Sequence, residues 1–435
     1  MTDTPARAIV LGGYGLIGSA CMRALAAEGY AVTGVGRSEW AARRVVPEAD
    51  WVIRDIGRVE AAEWRDILAG ADVVVNASGA FQESGRDDLT GIHVTAVQRI
   101  VAALEGTNTR LVHISSAGVA PDAPAAFFTT KAAGDAAIMA SPLDWVILRP
   151  TLVIGPAAYG ATGLLRAAAA MPWIAIDVLP DAFIQSVHIG DVAHAVVQAA
   201  RGDIAAGTLA HVTEAEGRSI RETIDALRRW LGFAEPRLRV TLPRPLLSVV
   251  SFAADLLGRL GWRSPLRSTA IRGLEADVHG DPAVWRAAGG RDCRSLTETL
   301  ASMPATVQER WFARLYLLLP VSIGILSLFW VLSGVLGLVR FEAAAAVLTG
   351  RGVGNWIAGL AVAGGAAVDI ALGLAILWRP WARHACLAMV GVSLAYLLAG
   401  TALAPDLWAD PLGPLLKILP GIGLALTAHV LAGDR

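Results

Sequence analysis

Gly12, Gly15 and Gly18 stand three residues apart in GGYGLIG, directly after the apolar run 8–11 and before an Ala-rich stretch of helical character. Where a strand turns into a helix, glycines so spaced allow a tight turn and let backbone approach a pyrophosphate. The helix N-terminus then turns N–H groups and a partial positive charge toward that anion. The chemistry expected of Gly12, Gly13, Tyr14, Gly15, Leu16, Ile17 and Gly18 is therefore the holding of a dinucleotide. A second run, 31–35, leads into Gly36-Arg37-Ser38, where an NAD-selective site offers an acid to the ribose hydroxyls. Arg37 can instead pair with a 2′-phosphate and Ser38 can add a hydrogen bond. The nearest acid, Glu39, lies beyond the usual position, so NADP(H) is expected over NAD(H). The structural alternative is a solvated loop arginine.

The elements that must position these residues alternate. Residues 8–11, 31–35, 51–53, 72–76, 111–115 and 145–148 are strand-like, and the stretches between them are Ala-rich and helical. Such alternation predicts an α/β fold with a doubly wound parallel sheet, the Rossmann arrangement, whose ligand crevice opens at the carboxyl ends of the strands. From about 201 to 310 the strand signal fades and Pro, Arg and Trp become frequent, which predicts a small, mainly helical lobe packed on residues 1–200. Within it, 245–262 is apolar over much of its circumference and reads as a buried core helix, with a helix lying on a membrane surface as the alternative.

The last third changes solvent. Hydrophobic residues make up 54% of the chain and charged ones 17%, and the apolar excess is concentrated in the runs 315–339, 356–378, 385–403 and 412–431. Each approaches the ~20 residues that cross a hydrocarbon core, so 311–435 is expected to be a four-helix transmembrane domain. Trp311, Tyr316, Trp356, Trp378, Trp381 and Trp408 sit near the ends as interfacial anchors. With the N-terminal domain inside, the inner edges carry Arg310, Arg314, Arg379, Arg383 and Arg435, against Arg340 and Arg351 in the first outer loop and only Asp406 and Asp410 in the second. The expected location is the inner (cell) membrane, multi-pass, with the nucleotide domain in the cytoplasm. Net charge is −1 with no long basic run, so nucleic acid is an unsuited partner. Cys21, Cys293 and Cys386 fit no metal or disulfide spacing.

Several further pieces recur in order: Arg54-Asp55-Ile56, Asn76-Ala77-Ser78-Gly79, Ser115-Ser116, Lys131, LRPTLVIGP at 148–156 and VHIGDVA at 187–193. With the glycine turn they resemble the short-chain dehydrogenase/reductase superfamily, in its extended or atypical branch, over roughly 7–300. The resemblance implies that Asp55 and Ile56 contact adenine, that Ala77, Ser78 and Gly79 line the cofactor, and that Arg149-Pro150 leads into the nicotinamide loop. Lys131 would hold the nicotinamide ribose and Ser116 would hydrogen-bond a substrate carbonyl, or serve merely as a turn residue. One departure matters more. The family's proton donor is the tyrosine of Tyr-x-x-x-Lys, and here that position is Phe127, which has no hydroxyl. Tyr14 and Tyr159 are the nearest phenols in sequence. His188 and Asp191 read as the start of a helix.

PATVQERWFARLYLLLP at 304–320, FWVLSGVLGL at 329–338 and VDIALGLAIL at 368–377 resemble the DoxX-like membrane domain. Asp369 lies mid-span with Ala361, Gly365 and Gly373 on its face. A charged carboxylate there costs ~2.5–3.5 kcal/mol on insertion scales, so it should face protein, through a hydrogen bond to Ser393, Tyr396 or Trp330 or in a ligand or proton role. Together these readings imply a membrane-tethered NADPH-binding oxidoreductase for an apolar or lipid-embedded carbonyl, enone or quinone. The other readings are a non-catalytic NADPH-binding sensor or respiratory-complex assembly or structural protein, and a sugar-nucleotide epimerase or dehydratase-like enzyme. The expected partners are the bilayer and a small membrane-dissolved substrate, with a homo-oligomer or a respiratory-chain partner left open.

Overall fold

The computed structural model describes residues 5–83, 87–262, 264, 266–275 and 278–433; Arg435, assigned above to an inner edge, lies outside them. The chain divides into two compact units, Met1–Asp255 with Ser264–Arg310, and Leu256–Arg263 with Trp311–Arg435.

The first unit is built on a seven-stranded, wholly parallel sheet. Six strands come in the expected places: β1 (Arg7–Leu11), β2 (Ala31–Gly36), β3 (Asp50–Ile53), β4 (Val73–Asn76), β5 (Arg110–Ile114) and β6 (Trp145–Pro150). The spatial order is β3-β2-β1-β4-β5-β6, followed by an edge strand, Thr208–Val212. The order reverses between β1 and β4, so the chain leaves these neighbours in opposite directions and a crevice opens at their carboxyl ends. Side chains alternate across a strand, and β1 shows both covered faces: Ala8 and Val10 pack with Cys21, Met22, Leu25 and Val192, whereas Ile9 and Leu11 pack with Trp64, Ile100 and Leu104.

The edge strand lies in the stretch read from sequence as a helical lobe. TLAHV is short and carries a histidine, so its alternation is too weak to stand out among helices. The same stretch also holds Leu238–Thr241, which pairs in parallel with Ile174–Asp177, and before it Leu152–Ile154 pairs in parallel with Ser186–His188. The helix at Arg244–Arg259 also departs from expectation, because only Leu247, Ser251 and Ala254 are buried. A helix apolar on most sides has the same pattern whether protein or another apolar medium covers it, so periodicity alone could not decide.

In the second unit, three helices among the described residues are long and apolar enough to cross a bilayer: Val307–Val339, Asn355–Ala375 and Arg379–Leu403. The fourth expected span starts late. Gly413 adopts φ +54° and is followed by Pro414, which breaks the run 412–431 and leaves Ile418–Gly433, 16 residues, short of the usual crossing length. Asp369 is buried and accepts hydrogen bonds from Tyr396 Oη and Ser333 Oγ, both at 2.9 Å. Tyr396 was one of the three partners expected; Ser333, on the first long helix, was not among them.

Candidate functional site

The chain turns sharply at the end of β1 before α1 (Leu16–Ala27), whose N-cap is Gly15. Gly12 N donates to Val35 O at 2.9 Å, and Gly12 takes φ +71°, a left-handed conformation open to glycine. A Cβ on Gly12 would lie 2.9 Å from Ala77 O, and one on Gly18 would lie 2.2 Å from Gly12 O. The turn is therefore bare backbone wedged between β4 and a helix N-terminus, a cradle that fits a dinucleotide pyrophosphate. Gly18→Ala is expected to cost ~1–3 kcal/mol of stability through overpacking and to raise the nucleotide Kd. Nucleotide binding followed by fluorescence checks it; unchanged affinity would mean the turn does not hold the phosphates.

At the end of β2, Tyr14 and Arg37 meet. Tyr14 Oη accepts from Arg37 N at 3.3 Å and its ring packs on Gly36, which places the phenol at the adenosine end of such a crevice rather than beside Lys131. The Arg37 guanidinium donates to Asp87 Oδ1 at 2.7 Å, so a carboxylate already neighbours the arginine at the place expected for a 2′-phosphate. Ser38 caps the next helix, its Oγ accepting from Ala41 N at 3.3 Å. Asp55 and buried Ile56 follow β3, where Arg54 N donates to Gly36 O at 2.9 Å.

Across the switch point, Ala77, Ser78 and Gly79 follow β4. Asn76 Oδ1 accepts from Ser78 N at 3.2 Å, and its amide donates to His113 Nδ1 at 3.1 Å. That donation leaves the His113 proton on Nε2, which lies 3.4 Å from Asp135 Oδ1. Asp135, fully buried, also receives Ser115 Oγ at 2.8 Å and Arg149 Nη2 at 2.8 Å. Burial opposes its charge, but the hydrogen bonds from His113, Arg149 and Ser115 outweigh burial and hold the carboxyl below its ordinary range. Arg149, expected ahead of a nicotinamide loop, is thus the ion-pair partner of a buried carboxylate.

One helical turn before Asp135, on the helix Ala126–Met139, is Lys131. It is buried, donates to Ile114 O at 2.9 Å, and burial pushes its ammonium down to about 8, partly countered by Asp135. Phe127, one turn earlier, sets its ring 5.9 Å from Lys131 Nζ, 4.8 Å from Phe81 and 5.1 Å from Phe128. Phe81 is 46% exposed, so the position of the missing phenol has become an apolar aromatic wall. Ser116 is half-buried at the end of β5 with its Oγ donating to Ala117 O at 3.1 Å.

Three groups here were missed from sequence. His93 sits in a π turn, Gly91–Thr95, accepting from Ala80 N at 3.3 Å through Nε2 and bonded to Thr130 Oγ1 at 2.9 Å through Nδ1. Burial, aided by Lys131, pushes it down to about 2, so it is a neutral acceptor. Burial likewise lowers His113. Asp135 could have been noticed as the residue four after Lys131 on one helix face; nothing in the sequence marks either histidine. His188 and Asp191 are structural, as expected: His188 Nδ1 caps its helix by accepting from Gly190 N at 2.9 Å, and Asp191 is bridged by Arg294 at 2.7 Å.

A bare glycine turn at the switch point of a parallel, doubly wound sheet defines an NAD(P)-binding Rossmann domain. Residues 12–202 match the NAD(P)H-binding family and residues 327–426 match the DoxX-like family. The protein therefore joins an NAD(P)-binding domain to a C-terminal DoxX-like membrane domain. It is 22% identical over 278 residues to a ceramide reductase of Caulobacter vibrioides, a match that covers 63% of this chain and 83% of that protein. It is 26% identical over 157 residues to the 40 kDa subunit of mitochondrial NADH-ubiquinone oxidoreductase of Neurospora crassa, covering 34% of this chain and 40% of the subunit. In fold it is similar to the Bordetella bronchiseptica enzyme WbmH, solved with NAD+, at TM-score 0.51 and 20% identity over 68% of this chain and 96% of that one.

Proposed function

We propose that the protein is a membrane-tethered, NADPH-dependent oxidoreductase that reduces the carbonyl of an apolar, bilayer-dissolved substrate such as a lipid ketone, enone or quinone. The observation that carries this reading is the aromatic wall of Phe127 and half-exposed Phe81, backed by buried Phe128, beside a buried lysine. Such a wall receives hydrocarbon and excludes water. The covalent membrane domain raises the local concentration of a substrate that partitions into lipid, and the likeness to a ceramide reductase supports a lipid substrate. With Arg310, Arg314, Arg379 and Arg383 on the inner edges, the nucleotide domain faces the cytoplasm.

When bound, the dihydronicotinamide supplies a hydride to the carbonyl carbon. The chain's own part is the proton. Of the titratable groups close to Lys131, His93 and His113 stay neutral and Asp135 stays ionised and committed to Arg149. Lys131 Nζ alone combines a proton to give with an acidity near the working pH, which is what efficient general acid catalysis asks for. The proton moves from Lys131 Nζ to the carbonyl oxygen, the product is the alcohol, and the neutral amine regains a proton from water. Ser116 Oγ exchanges its bond to Ala117 O for one donated to the same oxygen. Gly12, Gly13, Tyr14, Gly15, Leu16, Ile17, Gly18, Arg37, Ser38, Asp55, Ile56, Ala77, Ser78 and Gly79 hold the cofactor.

Arg37 favours NADP(H), its guanidinium meeting the 2′-phosphate in exchange for part of its bond to Asp87. Arg37→Ala should reduce the preference for NADPH over NADH by ~1.5–3 kcal/mol, the worth of a charge-assisted hydrogen bond. Equal dissociation constants for the two cofactors in the unmutated protein would end this idea. The test of the reaction itself is single-turnover NADPH oxidation by the full chain in detergent with a panel of quinones, enones and lipid ketones. A non-catalytic, cofactor-sensing reading is favoured by one observation, the absent phenol at Phe127, and by the likeness to a respiratory-enzyme subunit. Saturable NADPH binding without oxidation across that panel would move the assignment there.

A further inference from the structure

We propose that the helix Arg244–Arg259 is an in-plane membrane anchor whose exposed apolar face lies in the lipid interface. At 100° per residue, Leu246, Val249, Phe252, Ala253, Leu256 and Leu257 fall within about 140° of one another. Leu246 is 50%, Val249 64%, Phe252 71% and Leu256 52% exposed, whereas Leu247, Ser251 and Ala254 are buried on the other side. Single exposed leucines need no explanation, but a continuous stripe along about three turns does. At 16 residues the helix is ~24 Å long, too short to span a hydrocarbon core. Arginines at both ends, Arg244 and Arg259, suit the phosphates of a headgroup layer.

The occupant is identified by where the helix ends. Its last turn and the residues after it, Leu256–Arg263, belong to the membrane unit. Trp262 Nε1 donates to Leu377 O at 2.6 Å, Arg379 N donates to Leu260 O at 2.9 Å, and the Arg379 guanidinium lies 5.4 Å from the Trp262 ring. Residues 376–378 are the turn between two of the long apolar helices, and Trp378 and Trp381 stack beside it with centroids 5.9 Å apart. A turn between two spanning helices, bearing stacked tryptophans and an arginine, marks the level of one bilayer surface. The exposed stripe runs without a break into that last turn, at Leu256 and Leu257, so lipid is the occupant that suits the whole of it. The two tethers, this helix and the first long helix, leave the nucleotide-binding unit at separate points, Asp255 and Arg310.

The test uses the full chain in phosphatidylcholine/phosphatidylglycerol nanodiscs, with Cys21, Cys293 and Cys386 replaced by serine and a single spin label introduced at Phe252→Cys. Phe329→Cys, on the first long helix, serves as the lipid reference and Glu105→Cys, in an exposed loop, as the aqueous one. Relaxation by oxygen over a nickel chelate that lies between those of the Phe329→Cys and Glu105→Cys labels is expected, and retained NADPH binding verifies the fold of each labelled protein. A label at 252 as open to nickel as that at 105 overturns the proposal. Dipolar broadening between labels would also overturn it, because a second copy of the chain, not lipid, would then cover the face. Should oxidation of NADPH never be found, this result stands or falls on its own.

Discussion

Lys131→Met is expected to slow single-turnover hydride transfer by ~10²–10⁴-fold, the usual worth of a positioned proton donor. The substitution keeps the unbranched stem among its neighbours and removes the ammonium that donates to Ile114 O at 2.9 Å. Losing that donor leaves a buried carbonyl unpartnered, at about 1–3 kcal/mol, so the variant should also bind nucleotide less well. Saturating NADPH separates the two effects. The pH profile adds an independent readout. Burial brings Lys131 down to about 8, the acid form dominates below that value, and the unmutated rate should therefore fall as pH rises through it. Lys131→Arg keeps the charge but holds its proton at any accessible pH, so that limb should vanish along with most of the rate. Phe127→Tyr is the converse change. It returns a hydroxyl to a ring whose centroid lies 5.9 Å from the Lys131 Nζ of the unmutated protein and should restore carbonyl reduction to Lys131→Met in part. Hydride transfer by Lys131→Met at the unmutated rate would show that the proton comes from elsewhere.

The main architecture was legible because it rests on local signals. Six strands of the parallel sheet have contiguous β-branched runs, and the turn at Gly12 and Gly18 needs glycine for steric reasons that any sequence displays. The membrane helices are legible for the same reason, since an apolar run of sufficient length has few other homes. What was not legible depends on partners distant in sequence. His113 and Asp135 are 22 residues apart and become a buried network only because β5 and the helix after it pack together. Phe127 reads as a mere loss of function until Phe81, from another loop, is set against it at 4.8 Å. The pairing of Arg37 with Asp87, 50 residues on, likewise has no trace in the local pattern. The stripe on Arg244–Arg259 failed for a different reason: amphipathicity states that a face must be covered, and never by what.

Asp135→Ala should destabilise the nucleotide-binding unit by ~3–5 kcal/mol, the cost of removing one partner from a buried ion pair. The carboxylate is fully buried and receives Arg149, Ser115 and His113, so its loss strands a guanidinium and lets the positive charge of Lys131 go unanswered. Removing both charges tests whether the cost is that of an orphaned ion: in Asp135→Ala/Arg149→Met part of the stability should return, because neither partner is left alone. The pH dependence has a definite sign. The folded Asp135 carboxyl lies below its unfolded value of ~3.9. Its contribution is therefore present above that value and is lost as pH falls through the lower, folded one. The unmutated protein should lose stability in that acid window, and Asp135→Ala should lose less over the same range. The measurement is the temperature at which nucleotide binding disappears, for the full chain in detergent, at neutral and acid pH. An Asp135→Ala protein as heat-stable as its parent at neutral pH would mean that the network is solvated rather than sealed. Lys131 would then have no reason to titrate near 8, and the proton assignment would lose its physical basis.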